Sequence, residues 1–68
     1  MYKLYFILNG KRKKQGEFST LEEAEKHMMM LIDNKSRIKS WYIVKRQKDN
    51  HIFYDYGAHN AEYIVEVD

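Results

Sequence analysis

The three histidines are the residues of this 68-residue chain best suited to acid–base or metal chemistry, and they are scattered along it. His51, Asp55 and His59 recur every four residues, a spacing that can gather metal ligands around a turn. On an extended strand, however, His51 and Asp55 lie about 13 Å apart, because each residue advances the chain by about 3.3 Å. The sequence also lacks the phosphate-loop glycine pattern, HExxH and GxSxG. We therefore predict a non-enzymatic protein with no catalytic residue, no metal site and no cofactor.

Two clusters of basic side chains could instead bind phosphate. The first cluster is Lys11, Arg12, Lys13 and Lys14, and the second is Lys45, Arg46 and Lys48. Nucleic-acid binding needs flexible cations gathered on one surface, with aromatic side chains beside them for base stacking. A nucleic-acid-binding function is therefore open, provided that both clusters share a face free of Glu62, Glu66 and Asp68.

Tyrosine is the other abundant residue with binding potential, since the chain has six. A tyrosine-rich sheet face that no helix covers is suited to contact with another protein, because each ring offers a large apolar area and a polar tip. We expect some of Tyr5, Tyr42, Tyr54, Tyr56 and Tyr63 to line such a face. The candidate protein-binding residues are Tyr5, Tyr42, Tyr54 and Tyr56.

Length and composition favour one small domain spanning residues 1–68. The absence of cysteine excludes disulfides and zinc–thiolate sites. The first apolar run is too short and too rich in tyrosine for a signal peptide, and no segment reaches the length that spans a membrane. We expect a cytoplasmic protein with no membrane contact.

The net charge of +2 conceals blocks of opposite sign. Residues 1–20 carry five basic and one acidic side chain, and residues 21–34 carry one basic and four acidic. Residues 35–48 carry six basic side chains and no acidic one, whereas residues 49–68 carry five acidic and no basic. Such blocks pair across a fold or create opposed faces, and a dedicated nucleic-acid binder usually has a larger basic excess.

Residues 20–33 form the most clearly marked helix. Its apolar stripe consists of Leu21, Ala24, Met28, Leu31 and Ile32. Thr20 and Glu23 have the spacing of a capping box, and Asn34 is a candidate left-handed C-cap. Met28 belongs to the core, whereas Met29 and Met30 cannot both share its stripe, so at least one is exposed. The helix therefore needs a partner surface, which the flanking strands supply.

The N-terminal hairpin is predicted from residues 2–8 and the Asn9-Gly10 turn, which favours type I′. A two-residue loop places polar side chains against the apolar strand, with Leu8 opposite Lys11, Phe6 opposite Lys13 and Leu4 opposite Gln15. A bulge at Gly16 would move Phe18 onto the face of the apolar residues. We therefore expect Phe18 to be buried.

The second half of the sequence predicts three more strands. Residues 40–47 predict a strand whose apolar part, residues 41–44, is nearly continuous and indicates a central position. Asp49-Asn50 then turns the chain into a strand over residues 52–56. Residues 62–67 alternate and predict a half-exposed last strand. The fold class is thus α+β: an antiparallel sheet of four to five strands in the order ββαβββ, with one helix on one face.

One local resemblance bears on DNA. The run Asn-Gly-Lys-Arg-Lys-Lys is followed by Phe-Ser-Thr and then Glu-Glu-Ala. This order, within residues 5–24, resembles the arm-type DNA-binding domain at the N-terminus of phage-type tyrosine recombinases. The resemblance implies a small sheet packed on a helix, with the sheet entering the DNA major groove. It covers under a third of the chain, and only two strands precede the helix where the family has three.

The composition as a whole, rich in Lys, Ile, Asn and Tyr without Pro or Cys, is similar in style to small accessory proteins of phages and mobile elements. Such proteins often bind a host protein, sometimes as inhibitors. The leading hypothesis is therefore a small regulatory module that binds an unidentified protein partner. The alternative is nucleic-acid binding through the two basic clusters, and a homodimer that pairs its sheets is compatible with either.

Overall fold

A computed structural model describes residues 1–35, 43–57 and 60–67. Its elements are β1 (Tyr2–Leu8), β2 (Lys11–Phe18), α1 (Leu21–Lys35), β3 (Val44–Lys48), β4 (His51–Asp55) and β5 (Ala61–Val67). All strand pairs are antiparallel and form one sheet in the order β2-β1-β5-β4-β3. The helix packs on one face of this sheet, so the predicted α+β class and the ββαβββ order are confirmed.

The first hairpin has the predicted turn and the predicted bulge. Asn9 and Gly10 have φ angles of 51° and 80°, the left-handed pair that a type I′ turn requires. The register shifts between Leu4 and Tyr5, which leaves Gln15 unopposed beside Gly16. Phe18 is thereby placed opposite Tyr2, on the helix side of the sheet, where it is half-buried rather than fully buried.

The helix begins as the capping box predicts. The backbone N–H of Glu23 donates to Oγ1 of Thr20 at 3.2 Å, and the Thr20 hydroxyl donates back to Oε1 of Glu23 at 3.2 Å. The fully buried helical side chains are Ala24, Met28 and Ile32, whereas Met29 and Met30 are exposed. The predicted C-cap is wrong, because the helix continues through Asn34 to Lys35 and Asn34 is not left-handed.

Strand order differs from the sequence prediction. The predicted central strand is instead the edge strand β3, in which all five residues are exposed, and the part of that prediction at residues 40–42 lies outside the described ranges. The last strand, β5, is central and buries Tyr63, Ile64 and Val65. The reason is topological, since β5 inserts between the two hairpins and pairs with both β1 and β4.

Three of the five predicted tyrosines lie on the helix side of the sheet and not on the uncovered face. Tyr54, Tyr56 and Tyr63 are only 1%, 6% and 5% exposed, because they face the helix and fill the core. Tyr5 is the predicted tyrosine that the described ranges place on the opposite face, and Tyr42 lies outside them. A helix that buries alanine and methionine leaves space that large rings must fill. The prediction of an uncovered face is therefore wrong for Tyr54, Tyr56 and Tyr63, whereas Tyr5 does lie on that face.

No helix in the described part of the chain is long and apolar enough to cross a membrane.

Candidate binding groove

A groove of about 690 Å³ opens on the helix side of the sheet, between the turn end of the β1–β2 hairpin and the second half of α1. We call it the hairpin groove. Its lining residues are Phe6, Leu8, Asn9, Lys11, Lys13, Gln15, Leu31, Ile32, Tyr56 and Tyr63. Its volume lies within the range of about 300 to 1,000 Å³ that is usual for ligand sites.

The path of α1 leaves a gap between its second half and the turn of the β1–β2 hairpin. Only two residues separate the end of β2 from the start of α1. The first half of the helix is held there by ring contact between Phe18 and His27, whose centroids are 5.3 Å apart. Ala24 is fully buried and small, which allows close approach of helix and sheet. Towards the turn of the hairpin, the side chains Leu31 and Ile32 form one wall and the hairpin forms the other.

Three aromatic rings form the floor of the groove. The ring centroids of Phe6 and Tyr63 are 5.0 Å apart, and those of Tyr63 and Tyr56 are 5.5 Å apart, each pair in a tilted arrangement. Burial raises the pKa of both tyrosine hydroxyls, and for Tyr63 the neighbouring Tyr56 adds to the effect. The floor is therefore uncharged at neutral pH.

The outer rim of the groove is cationic. Strand alternation places Lys11 and Lys13 on the helix side of β2, opposite Leu8 and Phe6. Both lysines are exposed, and neither forms an ion pair with another described residue. Leu8 is 46% exposed at the same rim. An apolar floor thus meets two lysines that the rest of the described fold leaves unneutralised.

The two basic clusters lie at opposite edges of the sheet and do not form one contiguous patch. β2 and β3 are the opposite edges of the sheet, four strand spacings or about 19 Å apart. Within the first cluster, Lys11 and Lys13 point towards the groove, whereas Arg12 and Lys14 point to the opposite side of the sheet, which we call the open face. The predicted basic tip is therefore divided between two faces.

Acidic side chains interleave with the cations of the open face. Nη1 of Arg12 lies 3.4 Å from Oε2 of Glu66, and the guanidinium sits over the Tyr5 ring at 4.5 Å from its centroid. Nε2 of His51 lies 3.2 Å from the same Glu66 oxygen. Lys14 pairs with Glu17 in the same way. The condition set for nucleic-acid binding, a basic face free of Glu62 and Glu66, is not met.

Lys45 of the second cluster contributes to packing of the helix on the sheet. Its Nζ lies 2.8 Å from Oε2 of Glu25, and the Tyr54 hydroxyl donates to the same oxygen at 2.7 Å. Burial tends to raise the pKa of Glu25, but the hydrogen bonds from Lys45 and Tyr54 outweigh it and lower the pKa. Burial, together with the Glu25 carboxylate, raises the pKa of Tyr54.

Arg46 and Lys48 are exposed on the open face of the edge strand β3. Lysine-rich edges are a common means of preventing strand pairing between molecules, because a row of like charges opposes a second copy. The same reading applies to β2, the other edge, which also carries a bulge. Both edge strands thus carry the like charges and, in β2, the bulge that oppose pairing with a second copy.

The histidines do not assemble a metal site in the described ranges, where no three His, Asp or Glu side chains converge. His27 packs against Phe18 and His51 pairs with Glu66. His59 lies outside the described residues.

The sequence prediction did not include Leu8, Leu31 and Phe6 among the site residues. For Leu8 and Phe6, however, the predicted hairpin register already indicated an unusual environment. The register that sets Leu8 against Lys11 and Phe6 against Lys13 looked like a conflict between apolar and basic side chains, and the structure retains it. This apolar strand face and the lysines beside it form one side of the hairpin groove.

No protein-family model, curated protein or solved structure matches the chain. The local resemblance to the recombinase arm domain is accordingly without support from a family match. The fold also has two strands before its helix, where that family has three.

Proposed function

We propose that this protein is a small non-enzymatic binding module that acts by protein–protein contact through the hairpin groove. The observation that carries the proposal is an apolar groove with an aromatic floor and an exposed leucine, Leu8, at its rim. The described residues leave this space unfilled, although most of their large apolar side chains are needed for a thin core. Grooves of this kind accept one or two bulky side chains of a partner, which then supply most of the binding free energy.

The binding free energy that the groove can supply depends on the anchor side chains it buries. Full burial of one Leu, Phe or Met side chain is worth about 1.5 to 3 kcal/mol, and anchor residues at interfaces often contribute more than 2 kcal/mol when they fill a preformed pocket. Two anchors supply about 3 to 6 kcal/mol, so contacts at the rim must provide the rest of the about 8 kcal/mol that micromolar affinity requires and must also offset the entropic cost of association. Such affinity suits a cytoplasmic accessory protein that inhibits or modulates a host protein.

A display selection tests the proposal. A random peptide library is panned on the wild-type protein, and the enriched peptides are then titrated against Leu8→Gln and Leu31→Gln. We expect each substitution to weaken binding by about tenfold, because a polar amide replaces the apolar contact in the groove. Met30→Gln is the matched control, since Met30 is exposed on the helix and does not line the groove, so it should bind like wild type.

Enriched peptides that bind the two groove variants and the wild type equally would contradict the proposal. Binding of labelled DNA or RNA with a steep loss at higher salt, unaffected by Leu8→Gln, would instead favour the nucleic-acid alternative. A homodimer would appear as a concentration-dependent mass in sedimentation equilibrium.

A further inference from the structure

We propose that the segment bound in the hairpin groove is acidic, with a bulky apolar anchor flanked by aspartate or glutamate. This inference rests on the proposed function and specifies the partner's chemistry.

Lys11 and Lys13 differ from the three basic side chains of the two clusters that form ion pairs within the described residues. Arg12 pairs with Glu66, Lys14 with Glu17 and Lys45 with Glu25. Lys11 and Lys13 have no such partner among the described residues, although both are exposed beside an apolar surface. Two unneutralised cations at one rim attract an anionic partner and disfavour a cationic one.

The groove as a whole has a positive charge. Among the described residues that line it, two are lysines and none is acidic, while the remainder are apolar, aromatic or amide side chains. An acidic segment thus meets complementary charge at the rim and no repulsion from the floor. A basic segment would bring like charges together there, which is costly at an interface.

The spacing of Lys11 and Lys13 matches that of two carboxylates in an extended segment. Lys11 and Lys13 are two residues apart on a strand, so their Cα atoms are separated by about 6.6 Å. Residues two apart in an extended segment have the same separation, so two carboxylates of such a segment can meet the two lysines together. An apolar anchor two positions further along the segment points to the same side as the carboxylates and can reach the floor formed by Phe6 and Tyr63.

A protein segment fits this groove better than a nucleic acid does. The floor tyrosines are almost fully buried and are tilted to one another, so they do not present the flat, open faces on which bases stack. The cations next along β2, Arg12 and Lys14, are directed to the other face and paired with carboxylates. A phosphate backbone would therefore find two cations rather than a continuous track.

The test is a selection from one fully randomised peptide library on three proteins. These are the wild type, the Lys11→Glu/Lys13→Glu pair and a control pair, Lys26→Glu/Lys48→Glu. Both pairs shift the net charge equally, but Lys26 and Lys48 do not line the groove. We expect acidic peptides with a Phe, Trp or Leu anchor from the wild type and the control. The groove pair should bind those peptides at least about tenfold more weakly and should select neutral or basic ones.

The outcomes separate the two proposals. Wild-type peptides that lose affinity on Leu8→Gln but carry no acidic bias would overturn this inference and leave the groove as the binding site. Peptides that ignore Leu8→Gln, or an absence of any enriched peptide, would overturn both. Binding of a random single-stranded DNA 20-mer that is lost on the groove pair and kept on Leu8→Gln would assign the lysines to nucleic acid. Circular dichroism and the milder Lys11→Gln/Lys13→Gln pair distinguish loss of charge from loss of fold.

Discussion

Met28→Ala should lower the free energy of unfolding by about 2 to 5 kcal/mol, because it opens a cavity where the helix meets the sheet. Met28 is 0% exposed and lies between Ala24 and Ile32 on the buried stripe of the helix. A domain of this size has only a few kcal/mol of total stability, so the variant should be largely unfolded at room temperature. Urea titration followed by circular dichroism measures the change.

Met30→Ala is the matched control, with the same atoms removed from the same helix two residues away. Met30 is 49% exposed, so its replacement should change stability by less than about 0.5 kcal/mol. Equal losses for the two variants would mean that the helix does not present its Met28 face to the sheet.

Alkaline pH should destabilise the protein strongly. The folded state raises the pKa of Tyr54, Tyr56 and Tyr63 above the value of about 10 that tyrosine has in the unfolded chain. The contribution of these tyrosines to the free energy of unfolding is fully present below pH 10. It is lost as the pH rises further, because the tyrosines of the unfolded chain ionise first. In that range, each tyrosine that stays neutral in the folded state lowers the free energy of unfolding by about 1.4 kcal/mol for every unit of pH increase. Urea titrations at pH 8, 10 and 11 measure the slope.

Tyr54→Phe provides the control for this pH dependence. At neutral pH the variant should lose about 1 kcal/mol, because Glu25 loses a hydrogen bond. Above pH 10 its stability should fall less steeply than that of the wild type, since one buried phenol is gone. An unchanged slope would show that Tyr54 does not resist ionisation in the folded protein.

Local features of this fold were predictable because local chemistry determines them. Asn9-Gly10 requires left-handed backbone angles, Gly16 permits the adjacent bulge, and Thr20 with Glu23 starts the helix. Each of these depends on residues within a few positions. The class and element order followed from them without any long-range information.

Strand order and the facing of the tyrosines were not predictable in this way, because they depend on pairing between distant residues. Residues 62–67 alternate like a half-exposed strand, yet pairing with β1 and β4 on both sides buries the middle of β5. Once β5 is central, its register with Leu4 and Tyr54 fixes which face the rings occupy. The apolar run that ends in Val44 looked buried, but β3 is an edge and Val44 is 56% exposed.

The charge blocks of the sequence acquire a spatial meaning only in this topology. The acidic block at residues 49–68 contributes β4 and β5, which lie inside the sheet, whereas two basic blocks supply the edge strands β2 and β3. Cations therefore flank a central acidic strand on the open face. Lys11 and Lys13 lie on the helix side of β2 instead, where they line the hairpin groove.

The most direct test of the hairpin groove as the binding surface is an NMR structure of the protein with a selected peptide. At 8.3 kDa the protein gives well-resolved methyl spectra, and intermolecular nuclear Overhauser effects locate the peptide's anchor side chain. If the hairpin groove is the binding surface, the anchor should contact the methyl groups of Leu8 and Leu31. Contacts to Ile7 and Phe53 on the open face, with none to Leu8 or Leu31, would contradict it.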